Sequence, residues 1–190
     1  FFAYFQAYSN TYASLDVLRR VYDEAVAFDD VVGLSIGTRP DCAPEEVLDL
    51  IESYSDRLEV WLEYGIQSVH NRTLRRVNRA HDWACSREAI RLVAAEGIKV
   101  CAHMMIGLPG ECRADAVKTA RMLGREPVSA VKLHNLHVLR GTALAREFRE
   151  SPFPVMDEYA YAEAAIDVLR HLPGHIEIVR LCTDSPPGRL

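Results

Sequence analysis

The stretch IKVCAHMMIGLPGE, residues 98–111, contains the strand and the turn that decide the fold. Residues 98–106 form an apolar run of β-strand character, and a tight turn from Gly107 to Glu111 ends it. Apolar residues at helical spacing follow, at Val117, Ala120 and Leu123. A strand, a turn and a helix in that order are typical of a βα unit in a parallel sheet.

This pattern recurs along the whole chain, because β-rich runs alternate with segments of helical apolar spacing. We predict strands at residues 1–7, 31–37, 58–64, 98–106, 129–138 and 175–181. Such strands form either an open doubly wound sheet or a TIM-type barrel, and the sequence lacks the glycine-rich motifs of the common nucleotide-binding sheets. A complete barrel needs about 250 residues. The 190 residues therefore predict an α/β fold, a partial TIM-type (β/α) barrel with parallel strands.

Composition limits the possible partners. With 49% apolar and 26% charged residues, the chain can bury one core, so a single domain is expected. The net charge of −5 gives no general basic field, although Arg72 to Arg79 form a local basic strip, so nucleic acid is neither supported nor excluded. No apolar run reaches the roughly 18 residues of a membrane span, and a cytoplasmic protein without membrane partners is expected.

The cysteines are odd in number and scattered, without CxxC, and we interpret them as reduced structural thiols: Cys42, Cys85, Cys101, Cys112 and Cys182. No metal site is predicted. Cys101 and His103 share a strand face, but two ligands do not make a site, and a packed thiol beside a hydrogen-bonded histidine explains them. His134 and His137, three residues apart on an extended strand, point to opposite faces.

Polar residues gather where the predicted strands end. In a parallel barrel these carboxyl ends share one mouth, at which the active site is built. Glu63 and His134 lie inside their predicted strands, and a carboxylate inside a buried strand needs a partner. The alternative to a functional role is a structural Glu63 paired with a neighbouring arginine.

The segment EYGIQS, residues 63–68, is the most informative of these strand ends. By strand alternation Glu63 and Gly65 share a face, and Gly65 leaves room for a ligand to approach the backbone. Gln67 and Ser68 offer hydrogen bonds at the rim. The segment therefore suits a ligand rich in hydroxyl groups, such as a ribose.

Four motifs occur in an order that resembles the radical S-adenosylmethionine (SAM) enzymes: VGLSIGTRPD at 32–41, EYGIQS at 63–68, VNRAHD at 77–82 and IGLPGE at 106–111. The segments YFQAYSNTY at 4–12 and KLHNLHVL at 132–139 are similar to the YhcC-like branch, which is related to the Elongator catalytic subunit and to oxygen-independent coproporphyrinogen oxidases. The resemblance covers nearly the whole chain and implies that residues 1–190 form a radical SAM core barrel.

The resemblance also implies the chemistry. A [4Fe-4S] cluster held by three cysteines after the first strand would bind SAM, and reductive cleavage would give a 5'-deoxyadenosyl radical that takes hydrogen from an unidentified substrate. An electron donor such as flavodoxin or ferredoxin is implied. The sequence opens within an apolar run and stops just after a predicted strand, so we expect both ends to be cut. Because CxxxCxxC is absent, we expect the motif to lie upstream and the fragment alone to be inactive.

Carried over by position, the resemblance assigns a SAM pocket. Gln67 and Arg79 match residues that contact the ribose and the carboxylate of SAM, Glu63 faces the same pocket, and Ser68 lies at its rim. Leu136 would offer its backbone to the adenine.

The sequence departs from the family pattern at several positions. Ala7, Tyr8 and Ser9 stand where the family has Gly-Gly-Glu, so only main-chain contacts to the SAM amino group carry over. Gly37 replaces a glutamate, and His103 stands where some relatives place a ribose-binding aspartate. Substrate contacts are predicted at Thr38, Arg39 and His134.

Two rival functions stay open. A (β/α) barrel lyase or aldolase would use Glu63 or His134 as a base and would need no iron. A non-catalytic barrel would bind a nucleotide or a protein partner.

Overall fold

The structure is a computed structural model, which describes residues 1–184. The strands within them are β1 (Phe2–Phe5), β2 (Gly33–Thr38), β3 (Glu59–Gln67), β4 (Lys99–Ile106), β5 (Ala130–Asn135) and β6 (Glu177–Arg180). All the predicted strands are confirmed. The main differences lie at two ends, because β3 continues to Gln67 and β5 stops at Asn135 instead of reaching residue 138.

Helices follow most of the strands, and their ends have local causes. They are α1 (Leu15–Ala25), α2 (Glu45–Glu52), α3 (Asn71–Arg76), α4 (Trp83–Ala95), α5 (Arg113–Leu123), α6 (Ala143–Glu150) and α7 (Glu158–His171). Helix α4 begins after Asp82, whose side chain accepts a hydrogen bond from the Cys85 amide. The chain leaves α4 through Gly97, whose φ of +76° favours glycine.

The sheet is parallel throughout and has the order β1-β2-β3-β4-β5-β6. In a flat sheet β1 and β5, four strand positions apart, would be separated by about 19 Å. Yet the Lys132 ammonium on β5 lies 3.1 Å from the Tyr4 hydroxyl on β1. The sheet must therefore curl, and it forms the half-barrel that the sequence predicts.

The two faces of the curled sheet differ in polarity. Alternate strand residues such as Leu62 and Ile66 pack outward against α1, α2, α4, α5 and α7 to form the apolar core. The concave face carries polar residues such as Glu63 and Lys132, and the carboxyl ends of the strands surround its mouth. Within residues 1–184, the helices are all too short or too polar to cross a membrane.

Candidate functional site

A cleft of about 370 Å³, here called the mouth cleft, opens at the carboxyl ends of β1 to β4. Its lining consists of Gln6, Tyr8, Ser9, Gly37, Thr38, Arg39, Glu63, Gly65, Gln67, Arg79 and His103. The structure thus brings together most of the residues for which a SAM or substrate contact is predicted.

Strand β3 supplies the floor of the mouth cleft through its alternation. Glu63, Gly65 and Gln67 lie two residues apart and face the concave side. The pairing of β3 with β4 shifts between Tyr64 and Gln67, and Gln67 has a φ of +69°. This irregularity turns the amide side chain of Gln67 to the rim of the cleft.

Arg79 reaches the cleft from the segment after α3. Its Nη2 atom donates a 2.6 Å hydrogen bond to the Gly65 carbonyl. Burial lowers the pKa of the Arg79 guanidinium, and the nearby Arg39 adds to this lowering. A Cβ atom on Gly65 would lie 2.9 Å from Arg79 Nη2 and 3.1 Å from Gln67 Nε2, so only glycine leaves the cleft its present shape.

Buried polar atoms without a protein partner mark this part of the cleft. Among the described residues, Arg79 Nε and Gln67 Oε1 are buried and make no hydrogen bond. Such groups are costly unless a ligand or water satisfies them. One free donor and one free acceptor, beside a glycine that opens the backbone, fit a ligand with carboxylate and hydroxyl groups, as SAM has.

The loop after β1 forms one wall. The Asn10 side chain donates hydrogen bonds to the carbonyls of Phe5 and Gly37, which holds this loop against β2. Tyr8 has a φ of +64° and is 97% exposed. Tyr8 and Ser9 line the mouth cleft, whereas the predicted Ala7 does not.

The predicted substrate residues of β2 also lie in the cleft. The Thr38 hydroxyl is hydrogen-bonded to that of Thr11, at 2.6 Å. Arg39 is paired with Asp41, and this pairing is the main cause that lowers the pKa of the Asp41 carboxyl.

A polar layer crosses the concave face directly below the mouth cleft; it consists of Tyr4, Ser35, Glu63, His103 and Lys132. The Glu63 carboxylate accepts five hydrogen bonds, two of them from the Lys132 ammonium at 2.6 and 2.7 Å. The others come from Ser35 (2.8 Å), Tyr4 (2.8 Å) and His103 Nε2 (2.7 Å). Each of the first five strands contributes one member to this layer.

The charges of the polar layer stabilise one another. Burial alone raises the pKa of Glu63, but the hydrogen bonds from His103, Lys132 and Ser35 outweigh it and lower this pKa to about 2. Burial likewise lowers the pKa of Lys132, and its contacts with Glu63 and Tyr4 reverse this effect, so that the pKa is raised. The layer therefore holds an ionised carboxylate and an ionised ammonium.

The structural alternative for Glu63 predicted an arginine as its partner, and this partner was wrong. The charged partner of Glu63 is Lys132. Sequence reasoning missed Lys132 and Tyr4. A signal was present, since a lysine inside an otherwise apolar predicted strand needs a counter-charge, as the carboxylate of Glu63 does.

Besides Ala7, three of the predicted contacts lie outside the mouth cleft. Ser68 is fully buried, and its hydroxyl donates a 2.5 Å hydrogen bond to Glu111, which ties the end of β3 to the turn after β4. Leu136 lines a separate groove against α7, and its amide already donates to Ile106, so only its carbonyl is left for a ligand. His134 stacks on His103 with ring centres 5.0 Å apart.

Within residues 1–184, one group of potential metal ligands comes together, consisting of Glu63, Cys101 and His103. Lys132 already neutralises the Glu63 carboxylate. Burial raises the pKa of the Cys101 thiol to about 12, and the charge of Glu63 adds to this, so the thiol stays protonated. These three residues therefore do not fit a metal, and they include only one of the three cysteines that an iron–sulfur cluster requires.

The sequence matches two family profiles. The Radical SAM superfamily matches residues 4–123, and the Radical_SAM C-terminal domain matches residues 128–190. Protein YhcC of Escherichia coli K12 is 41% identical over 186 residues, which are 97% of this chain and 60% of that protein. Protein YtqA of Bacillus subtilis is 38% identical over 98% of this chain and 58% of its own length. The chain thus spans less than two thirds of the length of these relatives.

More distant relatives and solved structures agree in fold. A protein named tRNA uridine(34) acetyltransferase, from Dehalococcoides mccartyi, is 29% identical over 82% of this chain and 34% of its own length. The structure of Elp3 from Methanocaldococcus infernus superposes with a TM-score of 0.72 at 26% identity, over 91% of this chain and 40% of that one. Escherichia coli coproporphyrinogen III oxidase HemN gives 0.65 at 18% identity, over 85% and 36%. With its curled parallel sheet and its two profile matches, the chain belongs to the radical SAM superfamily.

Proposed function

We propose that the full-length protein binds SAM in the mouth cleft, cleaves it reductively at a [4Fe-4S] cluster and uses the resulting 5'-deoxyadenosyl radical to take hydrogen from a substrate. The observation that carries this proposal is the meeting of Gly65, Gln67 and Arg79 at one cleft, with buried polar atoms left unpaired. Membership of the radical SAM superfamily supports SAM as the ligand of that cleft.

The residues of the cleft have separate roles in this proposal. The Arg79 guanidinium binds the SAM carboxylate, and Gln67 and His103 bind the ribose hydroxyls. The main chain at Tyr8 and Ser9 receives the amino group, because the left-handed conformation of Tyr8 exposes its backbone. The Leu136 carbonyl contacts the adenine from the neighbouring groove.

The cluster ligands are not supplied by the residues described above. Three thiolates are needed, and residues 1–184 bring no three cysteines together. We propose that the ligands belong to a part of the full protein outside residues 1–190.

The rival lyase or aldolase function has weak support from the charges of the site. A general base should have a pKa near the working pH. The pKa of Glu63 is lowered to about 2 and that of His134 to about 4, the latter by burial and by the nearby positive groups. Both groups are therefore poor proton acceptors at neutral pH.

Anaerobic reconstitution of the full-length protein with iron and sulfide, followed by SAM and a chemical reductant, is expected to yield 5'-deoxyadenosine, measured by mass spectrometry. Cysteine-to-serine replacement at the exposed Cys112 is the control and should leave the yield unchanged, since serine also caps α5. A protein that forms no cluster and no 5'-deoxyadenosine contradicts the proposal. Binding of SAM without cleavage favours a non-catalytic barrel.

The substrate and the electron donor are separate proposals. Since one relative is named a tRNA acetyltransferase, we propose RNA as the first substrate class to test. It predicts RNA-dependent formation of 5'-deoxyadenosine in the same assay. A flavodoxin or ferredoxin is the proposed donor and should replace the chemical reductant.

A further inference from the structure

We propose that Lys132 is a positioning residue for the nucleoside part of SAM, which it serves through Glu63 and His103 without entering the mouth cleft. This inference rests on the proposed function, since it assumes that the mouth cleft binds a nucleoside. It concerns a residue for which neither the sequence motifs nor the comparisons give a role.

Lys132 lies on the side of the polar layer that faces away from the mouth cleft. Its ammonium contacts both oxygens of Glu63 and the Tyr4 hydroxyl, and it lies 4.5 Å from the centre of the Tyr4 ring. Lys132 lines a second cavity, of about 420 Å³, on the other side of the polar layer. Glu63 lines both cavities, so it is the link between the lysine and the mouth cleft.

The hydrogen bond to Glu63 determines the tautomer of His103. An ionised carboxylate can only accept hydrogen bonds, so the 2.7 Å contact from His103 Nε2 to Glu63 requires a hydrogen on Nε2. In the neutral ring Nδ1 is then an acceptor. Because His103 lines the mouth cleft and its ring stacks on His134, Nδ1 is held in place to accept a hydrogen bond from a ribose hydroxyl.

This tautomer depends on Lys132, because the ammonium keeps Glu63 ionised. Without the ammonium, Glu63 keeps the burial that raises its pKa and loses its main counter-charge. A protonated Glu63 can donate its hydrogen to His103 Nε2, and this would place the ring hydrogen on Nδ1 instead. The cleft would then lose its acceptor.

Other polar and titratable groups face Glu63 from the strands around it, and a change in their charge could also affect binding. They are Tyr4 from β1, Ser35 from β2, Cys101 and His103 from β4, and Lys132 from β5. Burial raises the pKa values of Tyr4 and Cys101, so neither ionises near neutral pH. His103 is hydrogen-bonded to Glu63, so the pH dependence of each variant is compared with that of the wild type.

The test measures binding of 5'-methylthioadenosine, which carries the nucleoside but needs no cluster, to the full-length protein by calorimetry at about pH 5.5 and about pH 8. We expect Lys132→Met to bind about tenfold more weakly than the wild type at the lower pH, as loss of one hydrogen bond would. The two proteins should differ less at the higher pH, because Lys132 keeps the wild-type Glu63 ionised at both values and only the variant has a protonated Glu63 at the lower one.

Two variants serve as controls. Lys99→Met removes an exposed lysine on β4 that also pairs with a glutamate of β3, Glu59, and it should bind as the wild type does. Glu63→Gln/Lys132→Met removes the titrating carboxyl together with its counter-charge, so the additional pH dependence should disappear. If Lys132→Met does not fold, Lys132→Gln replaces it, because its amide still donates to Glu63 without a charge.

Equal binding by the wild type and by the Lys132 variant at both pH values would overturn the proposal. This outcome is separable from failure of the proposed function, which is read from 5'-deoxyadenosine formation by the wild type alone. A wild type that cleaves SAM, with a Lys132 variant that binds normally, rejects only the positioning role. A wild type that binds no 5'-methylthioadenosine rejects the positioning role together with the nucleoside site on which it rests.

Discussion

Replacing Lys132 with methionine is expected to lower the free energy of unfolding of the full-length protein by about 3–5 kcal/mol, the usual cost of leaving one member of a buried ion pair alone. Both partners are nearly inaccessible, with Lys132 5% and Glu63 6% exposed. The carboxylate would keep its place in the sheet and lose the ammonium that contacts both of its oxygens. Urea denaturation at neutral pH measures the change.

Two control variants separate the effect of breaking the ion pair from the effect of removing a lysine side chain. The double variant Glu63→Gln/Lys132→Met removes both charges and should recover most of the stability, because a neutral replacement of a buried pair is often harmless. Lys99→Met breaks a solvent-exposed pair and should cost less than about 1 kcal/mol. A Lys132→Met protein as stable as Lys99→Met would contradict the prediction.

The same pair predicts an acid dependence of stability. The pKa of Glu63 is about 2 in the folded protein, against an ordinary value of 4.5. A carboxyl group whose pKa is lowered by folding stabilises the protein fully above its ordinary pKa, and this contribution is lost as the pH falls from 4.5 towards 2. Urea midpoints measured across this interval should therefore fall in the wild type and much less in Glu63→Gln/Lys132→Met.

Gly65→Ala is expected to weaken SAM binding about 10-fold to 100-fold, as loss of one hydrogen bond to a charged group would. The new methyl group would lie 2.9 Å from Arg79 Nη2 and 3.1 Å from Gln67 Nε2, and both side chains must move away. Arg79 would then lose its hydrogen bond to the Gly65 carbonyl and its direction into the cleft. Calorimetry with SAM measures the change.

Stability should respond differently to this variant. The atoms in the way are the ends of flexible side chains, and the restriction of the unfolded chain by alanine partly offsets the lost Arg79 hydrogen bond, so the free energy of unfolding should fall by less than about 2 kcal/mol. Gly174→Ala is the matched control, because a Cβ atom there meets no atom within 4 Å. Unchanged SAM affinity in Gly65→Ala would show that the ligand does not use this part of the cleft.

The strands and the mouth residues could be predicted from the sequence because both follow from local patterns. A period of two places Glu63, Gly65 and Gln67 on one face, and the structure agrees. The same period places Ser68 on the opposite face, so its position away from the cleft was already implied by the alternation. Leu136 lies in the neighbouring groove for another reason, since β5 ends at Asn135 and the chain continues towards α7.

The polar layer could not be predicted in the same way. Glu63 and Lys132 are 69 residues apart and belong to strands that are not neighbours, so their contact exists only because the sheet curls. The sequence analysis names no helix at α6, which is only eight residues long, half of them charged, and has Ala145 as its one buried residue.

The strand order has a consequence for how the chain reaches its native state. Neighbours in the sheet are also neighbours in sequence, so each strand can join an edge already formed, with only the helical connection between two consecutive strands to close. The contact between Tyr4 and Lys132 spans 128 residues and closes the curve of the sheet. We expect it to form after the folding barrier, so that Lys132→Met speeds unfolding and leaves the refolding rate nearly unchanged in stopped-flow experiments.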